Sequence, residues 1–487
     1  MIRDRSHFGA ALVCALFILA GCTGQASHKP PKPERSLDGP VVLITLADLR
    51  ADVVGALDGE TSWTPGLDAL AADSDWALRA VAPSSSPVPS MLSLATGTDP
   101  WQHGVLSHRF HSRAQELPTL AQMMGRLGFR THLFAPLGRD LAVYGPFEGF
   151  DERTPISDGE ALSEHLRHVD PSSSSFTWIH LPSVGFPYRD QRATLPSLPA
   201  PERDRIGRRE LLQYADPEKP IPQPLLRDAA LLYRHEVARA DARLGDWLDA
   251  LRESGGFASS LIIVTALHGT ELGEHGQALF AQNLGRKAVE VPLIVKFPEG
   301  IQAPPAQESP VETARLWSTL AELAGGERRP VHLPSLLHES REPAFVSLFR
   351  HETSNRLSVV ERRPDGVFQL TLSIPFAAPE PEFFAAQMVE SGWKRYPIKT
   401  SPRKMQRRLD RSFAATPPME GAGDAPLVKL ERWSTDGESI AVDDPPLMDE
   451  LTDRLLQRWR RFADHRRSPA FEHELRKNAP SRASETP

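Results

Sequence analysis

VVLITLADLRAD, from Val41 to Asp52, opens on five consecutive apolar or β-branched residues and ends on alternating charges. Such a run, with no polar alternation, is the pattern of a strand buried on both faces, as the strands of parallel sheets are. Similar runs recur at RTHLFA (130–135), FTWIHL (176–181), LIIVT (261–265) and PLIVKF (292–297). Helical patterns alternate with them. Pro118–Leu127 ends at Gly128, and Val237, Ala240, Leu244, Trp247, Leu248 and Leu251 form an apolar stripe that stops at Gly255-Gly256. The alternation predicts an α/β fold on a doubly wound, mainly parallel sheet. From about residue 343 the texture changes. AFVSLF, RLSVVE, GVFQLTL and VKLERW are short strands joined by little more than turns, and Leu447, Leu451, Leu455, Trp459 and Phe462 mark a final amphipathic helix. A smaller C-terminal α+β subdomain, antiparallel sheet plus helix, is expected there.

At 487 residues the chain is long enough for one large domain and an appendage. Its hydrophobic share of 40% and charged share of 24% are those of an ordinary globular protein. A formal charge of −7 gives no reason to propose nucleic acid as a partner. The N-terminus is more telling. Arg3 and Arg5 precede an apolar run from Phe8 to Ala20, shorter than the roughly 20 residues that cross a bilayer. That suits a signal-peptide core over residues 1–21. Leu19-Ala20-Gly21-Cys22 resembles the bacterial lipoprotein box, which implies acylation of Cys22 and attachment to membrane lipid. Thr23 after the cysteine, rather than Asp, favours outer-membrane sorting by analogy with that class. The expected location is the bacterial cell envelope, facing periplasm or surface. The other cysteine, Cys14, lies inside the signal, so the mature chain has no disulfide and no thiol nucleophile. Residues 22–40 read as a proline-rich tether, 41–335 as the α/β domain, 340–467 as the C-terminal subdomain and 468–487 as a disordered tail. The stretch 190–228, rich in proline and charge, reads as a surface excursion.

In open α/β sheets, ligand sites lie beyond the carboxyl ends of the strands. Two strand ends stand out, ITLADLRAD after the first and VTALHGTELGEHG after LIIVT. Both resemble the sulfatase family of the alkaline-phosphatase-like superfamily, as do TPGLDALAADS (64–74), PSMLSLATGTDPWQHGV (89–105), GFRTHLFAPLG with FEGFD (128–151), WIHL with PY (178–188) and VPLIVKFP. LERWSTDGESIAV with PLMDELTDRLLQRW (430–459) resembles that family's C-terminal subdomain. The resemblance implies a divalent cation held by carboxylates and an Asn or His at those two strand ends. It also implies a Ser, Thr or Cys-derived formylglycine that attacks a sulfate or phosphate ester from a helix N-terminus.

Position by position, nearly every residue that the resemblance makes chemical is replaced. The first strand end reads Ala47-Asp48 where an Asp is expected first, and the second reads Leu267-His268 where Asp precedes His or Asn. Counting back from Pro89-Ser90, the nucleophile position is Pro87, and Met91 stands where Arg or His is usual. Ser183-Val184-Gly185 fills the place of Asp-Pro-His, and the expected Lys or His lands near Ala281 and Gln282. Ala and Leu offer no lone pair to a hard cation, and loss of a catalytic nucleophile costs on the order of 10⁶-fold in rate. The expectation is a catalytically inactive member serving as a binding or scaffold module, with no catalytic residue and no cofactor. Its partners would be an anionic glycan, a lipid headgroup or an active sulfatase relative. The residues of the remnant pocket are Asp48, Ser90, His103, His180 and His268. The alternative is an active sulfuric- or phosphoric-ester hydrolase or transferase, with Ca²⁺ or Mg²⁺ on Asp48 and His268 and a serine displaced into Ser84–Ser86. Ser90 reads as the N-terminal cap or a first-turn residue of its helix, with Pro89 setting the approach. Asp48 reads as capping the next turn or pairing with Arg50 or His268. Arg454, Arg458, Arg460, Arg461, Arg466 and Arg467 read as a solvated helix face.

Overall fold

The computed structural model describes residues 36–58, 63–105, 117–137, 145–182, 184–185, 188, 221–274, 278–279, 283–308, 310–327, 332–340, 342–350, 354–375, 427–434 and 439–466. The apolar runs become strands where expected: β1 (Val41–Leu46), β2 (Trp76–Val81), β3 (Arg130–Ala135), β4 (Glu152–Pro155), β5 (Ser175–Leu181) and β6 (Leu261–Ala266). After the short β7 (Glu271–Leu272) and β8 (Ala278–Leu279) come β9 (Glu290–Lys296) and β10 (Val311–Glu312). The main sheet has eight strands in the order β10-β2-β9-β6-β1-β5-β3-β4. β1 lies between β5 and β6, parallel to both, and all six of its residues are buried. Only β9 opposes its neighbours, antiparallel to β2 and β6. An uninterrupted apolar run reports burial on both faces and carries no information on direction, so the sheet is mixed while remaining mainly parallel.

Helices α1 (Pro65–Ala72), α2 (Pro87–Thr96), α3 (Leu120–Arg126), α4 (Gly159–Arg167), α5 (Gln223–Glu253) and α6 (Leu316–Leu323) pack in two groups, α5 on α1 and α4, and α2 on α3 and α6. The 31-residue α5 buries Leu232, Val237, Leu244, Trp247, Leu248 and Leu251 along one stripe. It begins inside the stretch read as an excursion, so residues 223–228 belong to the helix. Pro224 stands in the first turn, where a missing N–H costs nothing. The rest of that excursion, 190–220, lies outside the described residues. Packing also begins earlier than the expected tether end. Leu37 is fully buried, and the Ser36 and Leu37 amides both donate to the Leu323 carbonyl.

The second sheet is antiparallel and five-stranded: β11 (Ala344–Arg350), β12 (Ser354–Arg363), β13 (Gly366–Pro375), β14 (Leu427–Trp433) and β15 (Ser439–Ala441). Helix α7 (Pro445–Arg466) places Leu447, Leu451 and Leu455 against Phe345, Leu357, Val359, Phe368, Leu370 and Leu430. The solvated-face reading fails for Arg458. Its side chain is 13% exposed and pairs with the buried Asp99 and Glu312. Arg454 is also engaged, with Glu361 and Glu450. The side chains of Arg460, Arg461 and Arg466, and residue Arg467, lie outside the described set, as do the signal segment with Cys22 and the C-terminal tail.

Candidate functional site

Because β1 and β6 pair in parallel with Leu46 opposite Ala266, their carboxyl ends deliver Ala47-Asp48 and Leu267-His268 side by side. The Leu267 amide donates to the Leu46 carbonyl at 2.9 Å, and the Ala47 amide to the Leu181 carbonyl at 3.1 Å, tying in the end of β5. Asp48 leaves the strand at φ +64°, alone in positive φ among the described non-glycine residues. Asp tolerates that region better than most side chains. Its side chain is 5% exposed. Oδ1 accepts no hydrogen bond and stands 3.4 Å from His268 Nδ1. Burial pushes its pKa up to about 8, so the uncharged acid prevails at neutral pH.

His268 is fully buried, and its Nδ1 donates to the Gly269 carbonyl at 2.8 Å. Burial takes its pKa down to about 4, against the opposing pull of that carbonyl. His180, on β5, meets Thr45 Oγ1 at 3.0 Å, and the Trp178 indole donates to the same hydroxyl at 2.9 Å. Its pKa also falls to about 4, through burial first and the proximity of His268 last. Asp48, His180 and His268 are all buried near the carboxyl ends of β1, β5 and β6.

Arg50 does not pair with Asp48. Its guanidinium forks onto Asp52 at 2.8 and 2.6 Å and reaches Glu274 at 2.6 Å, while Lys287 Nζ meets Asp52 at 2.6 Å. Burial alone would raise the Asp52 carboxyl, but Arg50 and Lys287 outweigh it and hold it well below the usual range. Tyr233, buried on α5, donates to the Asp48 carbonyl at 2.9 Å and accepts from the Arg50 amide at 3.0 Å. Tyr233, Glu274 and Lys287 were not anticipated. The charge alternation in LRAD was the available signal, and its partners lie between 183 and 235 residues away.

Ser86 holds the N-cap position of α2 without a side-chain capping bond, Pro87 is the first helical residue and Ser90 the fourth, inside the first turn. Pro87, not Pro89, therefore sets the approach. Two of the first three helical residues are prolines, and the Ser90 amide is spent on the Ser86 carbonyl at 3.3 Å. Val88 alone keeps an orphan N–H, so this end has lost most of the donor set that lets a helix N-terminus hold an anion. Ser90 Oγ donates to the Ser84 carbonyl at 2.7 Å. The run Ser84–Ser86 is buried throughout, and Ser85 Oγ has no hydrogen-bond partner. His103 Nδ1 accepts from the Val105 amide at 3.1 Å, leaving Nε2–H for Ser93 Oγ at 3.1 Å or the Pro89 carbonyl at 3.2 Å. Both ring nitrogens therefore brace the turn that follows α2. Gly97, at φ +67°, ends the helix.

The donor set does not fit the divalent cation that the fold implies. Asp48 supplies one carboxyl and His268 one imidazole, while Ala47 and Leu267 supply nothing. Among the described residues no group of three or more His, Cys, Asp or Glu side chains converges as a metal requires. Ser183, Ala281 and Gln282 lie outside the described residues.

The family model for type I phosphodiesterases and nucleotide pyrophosphatases matches residues 41–288, from β1 to the segment before β9. The chain belongs to that family. Solved structures with the same fold include a 2-O GAG sulfatase at 18% identity, TM-score 0.56, covering 69% of this chain and 83% of the other. A phosphonate monoester hydrolase from Silicibacter pomeroyi is similar at 17% identity, TM-score 0.52, over 83% of this chain and 99% of its own. A protein of the alkaline phosphatase superfamily from Vibrio parahaemolyticus is similar at 14% identity, TM-score 0.54, over 89% and 90%. No curated protein matches this chain in sequence. This phosphodiesterase-family member therefore has the alkaline-phosphatase-like architecture that the sulfatase resemblance implied, C-terminal subdomain included.

Proposed function

We propose that this member of the family no longer hydrolyses esters and serves as a binding or scaffold module at the bacterial cell envelope. The observation that carries the reading is Pro87, a residue without hydroxyl, thiol or charge, at the first position of an intact α2. Ala47 and Leu267 support it, since they replace expected carboxylates with apolar surface at the two strand ends. A cluster of carboxylates without its cation would repel itself, and replacing such groups by apolar ones is often neutral or stabilising. The partners that suit an envelope module of this ancestry are an anionic glycan, a lipid headgroup or an active relative.

Purified protein is expected to carry less than stoichiometric Ca, Mg, Mn or Zn by elemental analysis. It is also expected to show no turnover of aryl sulfates, phosphate monoesters or phosphate diesters with any of those ions added. Turnover that disappears in an Asp48→Ala or Ser85→Ala variant would refute the reading. One observation favours a second reading, an active hydrolase or transferase with a relocated nucleophile: Ser85 Oγ is buried and unpartnered just ahead of α2. Activity lost in Ser85→Ala and retained in Ser84→Ala would establish it.

Attachment through Cys22 is part of the proposal, supported by the LAGC sequence and the apolar run before it. No described helix is long and apolar enough to cross a membrane. In a bacterial host the wild-type chain is expected in the membrane fraction, and Cys22→Ala in the soluble fraction or held as unprocessed precursor. Equal distribution of the two proteins would remove the lipid anchor from the reading.

A further inference from the structure

We propose that the Val184–Gly185 main chain plugs the sheet end at Asp48, so that this pocket admits neither a divalent cation nor an ester anion. The inference deepens the non-catalytic reading of the same site and rests on it. Gly185 stands where the related pattern has a histidine, and it is pressed onto Asp48. A Cβ added there would lie 1.8 Å from Oδ2, 2.5 Å from Cγ and 3.1 Å from Cβ of Asp48. The contact involves the whole of a short side chain, not a mobile tip, and that side chain hangs from a backbone turned to φ +64° and is buried. Glycine is required by space here. Anything approaching that side of Oδ2 meets the main chain first.

The segment is held in place. The Val184 amide donates to the Ala47 carbonyl at 3.4 Å, and the Val184 side chain is fully buried. Ala47 and Leu267, at the two neighbouring strand ends, are apolar and 6% and 1% exposed. A cation would have to displace main chain and find further oxygen donors together. The three replacements of Ala47, Leu267 and Gly185 therefore read as one change, the conversion of a ligand site into packed interior.

Thermal melting of Gly185→Ala, Asp48→Gly and the double variant tests this. Asp48→Gly is chosen because glycine accepts the positive φ and vacates the space. Gly185→Ala is expected to lower Tm by several degrees, and the same change in the Asp48→Gly background by much less. Millimolar Mg²⁺, Ca²⁺, Mn²⁺ or Zn²⁺ is expected to shift wild type no more than Asp48→Gly. If Gly185→Ala yields no folded protein, recovery of folded double variant supports the plug and failure to recover overturns it. It is also overturned if Gly185→Ala melts like wild type, or if any cation stabilises wild type through Asp48. Ester hydrolysis insensitive to Asp48 would sink the non-catalytic reading and leave the plug standing, so the two fail separately.

Discussion

Arg458→Ala is expected to destabilise the protein by about 3–5 kcal/mol at neutral pH, the cost of breaking a buried ion pair from one side. The Arg458 fork donates to Asp99 at 3.0 and 2.8 Å and to Glu312 at 2.9 Å, and its guanidinium lies 4.1 Å from the Phe345 ring centroid. Asp99 and Glu312 are 2% and 4% exposed, so truncation leaves two carboxylates in the interior without their counter-ion. Burial already raises the Glu312 pKa, and Arg458 is the main force opposing that rise. Without it, Glu312 holds its proton further into the neutral range while the unfolded chain releases one at ordinary carboxylate pH. The deficit of the variant should therefore be smaller at acid pH and grow as pH rises through neutrality. Urea denaturation of wild type and Arg458→Ala at both ends of that range measures it. Adding Asp99→Asn and Glu312→Gln should recover most of the loss, because the stranded charges are then absent. A loss below about 0.5 kcal/mol, ordinary for a surface change, would return Arg458 to the solvent.

Arg458 also shows where sequence and structure part. A charged residue on an amphipathic helix reads as its wet face, yet Arg458 follows Leu455 by three residues and so falls on the stripe of Leu447, Leu451 and Leu455. Helical spacing was sufficient to place it inside. Its partners, Asp99 and Glu312, come from distant segments, and nothing local announces them. The strands were legible because burial on both faces leaves unbroken apolar runs, as β1, β5 and β6 confirm residue by residue. The direction of β9 was not, since apolar content is the same either way. At the site, the missing groups at Ala47, Leu267 and Pro87 could be read directly, because a side chain that lacks a lone pair lacks it in any fold. What replaced them could not. The pressure of Gly185 on Asp48, the positive φ of Asp48 and the prolines that strip amide donors from α2 are facts of backbone position. A motif fixes residue types and says nothing of how closely two loops approach.

Asp48→Asn is expected to change how stability depends on pH, and the direction of the change discriminates between a buried acid and a metal ligand. In the folded protein the Asp48 pKa is raised from 3.8 to about 8 by burial. Below pH 4 both folded and unfolded chains hold the proton, and the group contributes nothing to pH dependence. Between about 4 and 8 the unfolded chain releases it and the folded chain does not, so ionisation favours unfolding by up to about 1.4 kcal/mol per pH unit. Above 8 both forms are ionised and the penalty stops growing. Asparagine keeps the shape, tolerates φ +64° and cannot ionise. The stability difference, variant minus wild type, should therefore be flat in acid, climb by several kcal/mol across pH 4–8 and level off beyond it. A constant offset from the new amide group shifts the whole curve and leaves its slope intact, so the slope is the diagnostic quantity. Chemical denaturation at unit pH steps from 4 to 9 supplies it. Parallel curves would mean that Asp48 is already ionised in the folded state, as a carboxylate gripping a cation must be, and His268 beside it would then belong to a working site. A rising difference means that the protein keeps a buried acid at the end of β1 at the expense of its own stability, a cost that favours further apolar replacement of the kind already made at Ala47 and Leu267.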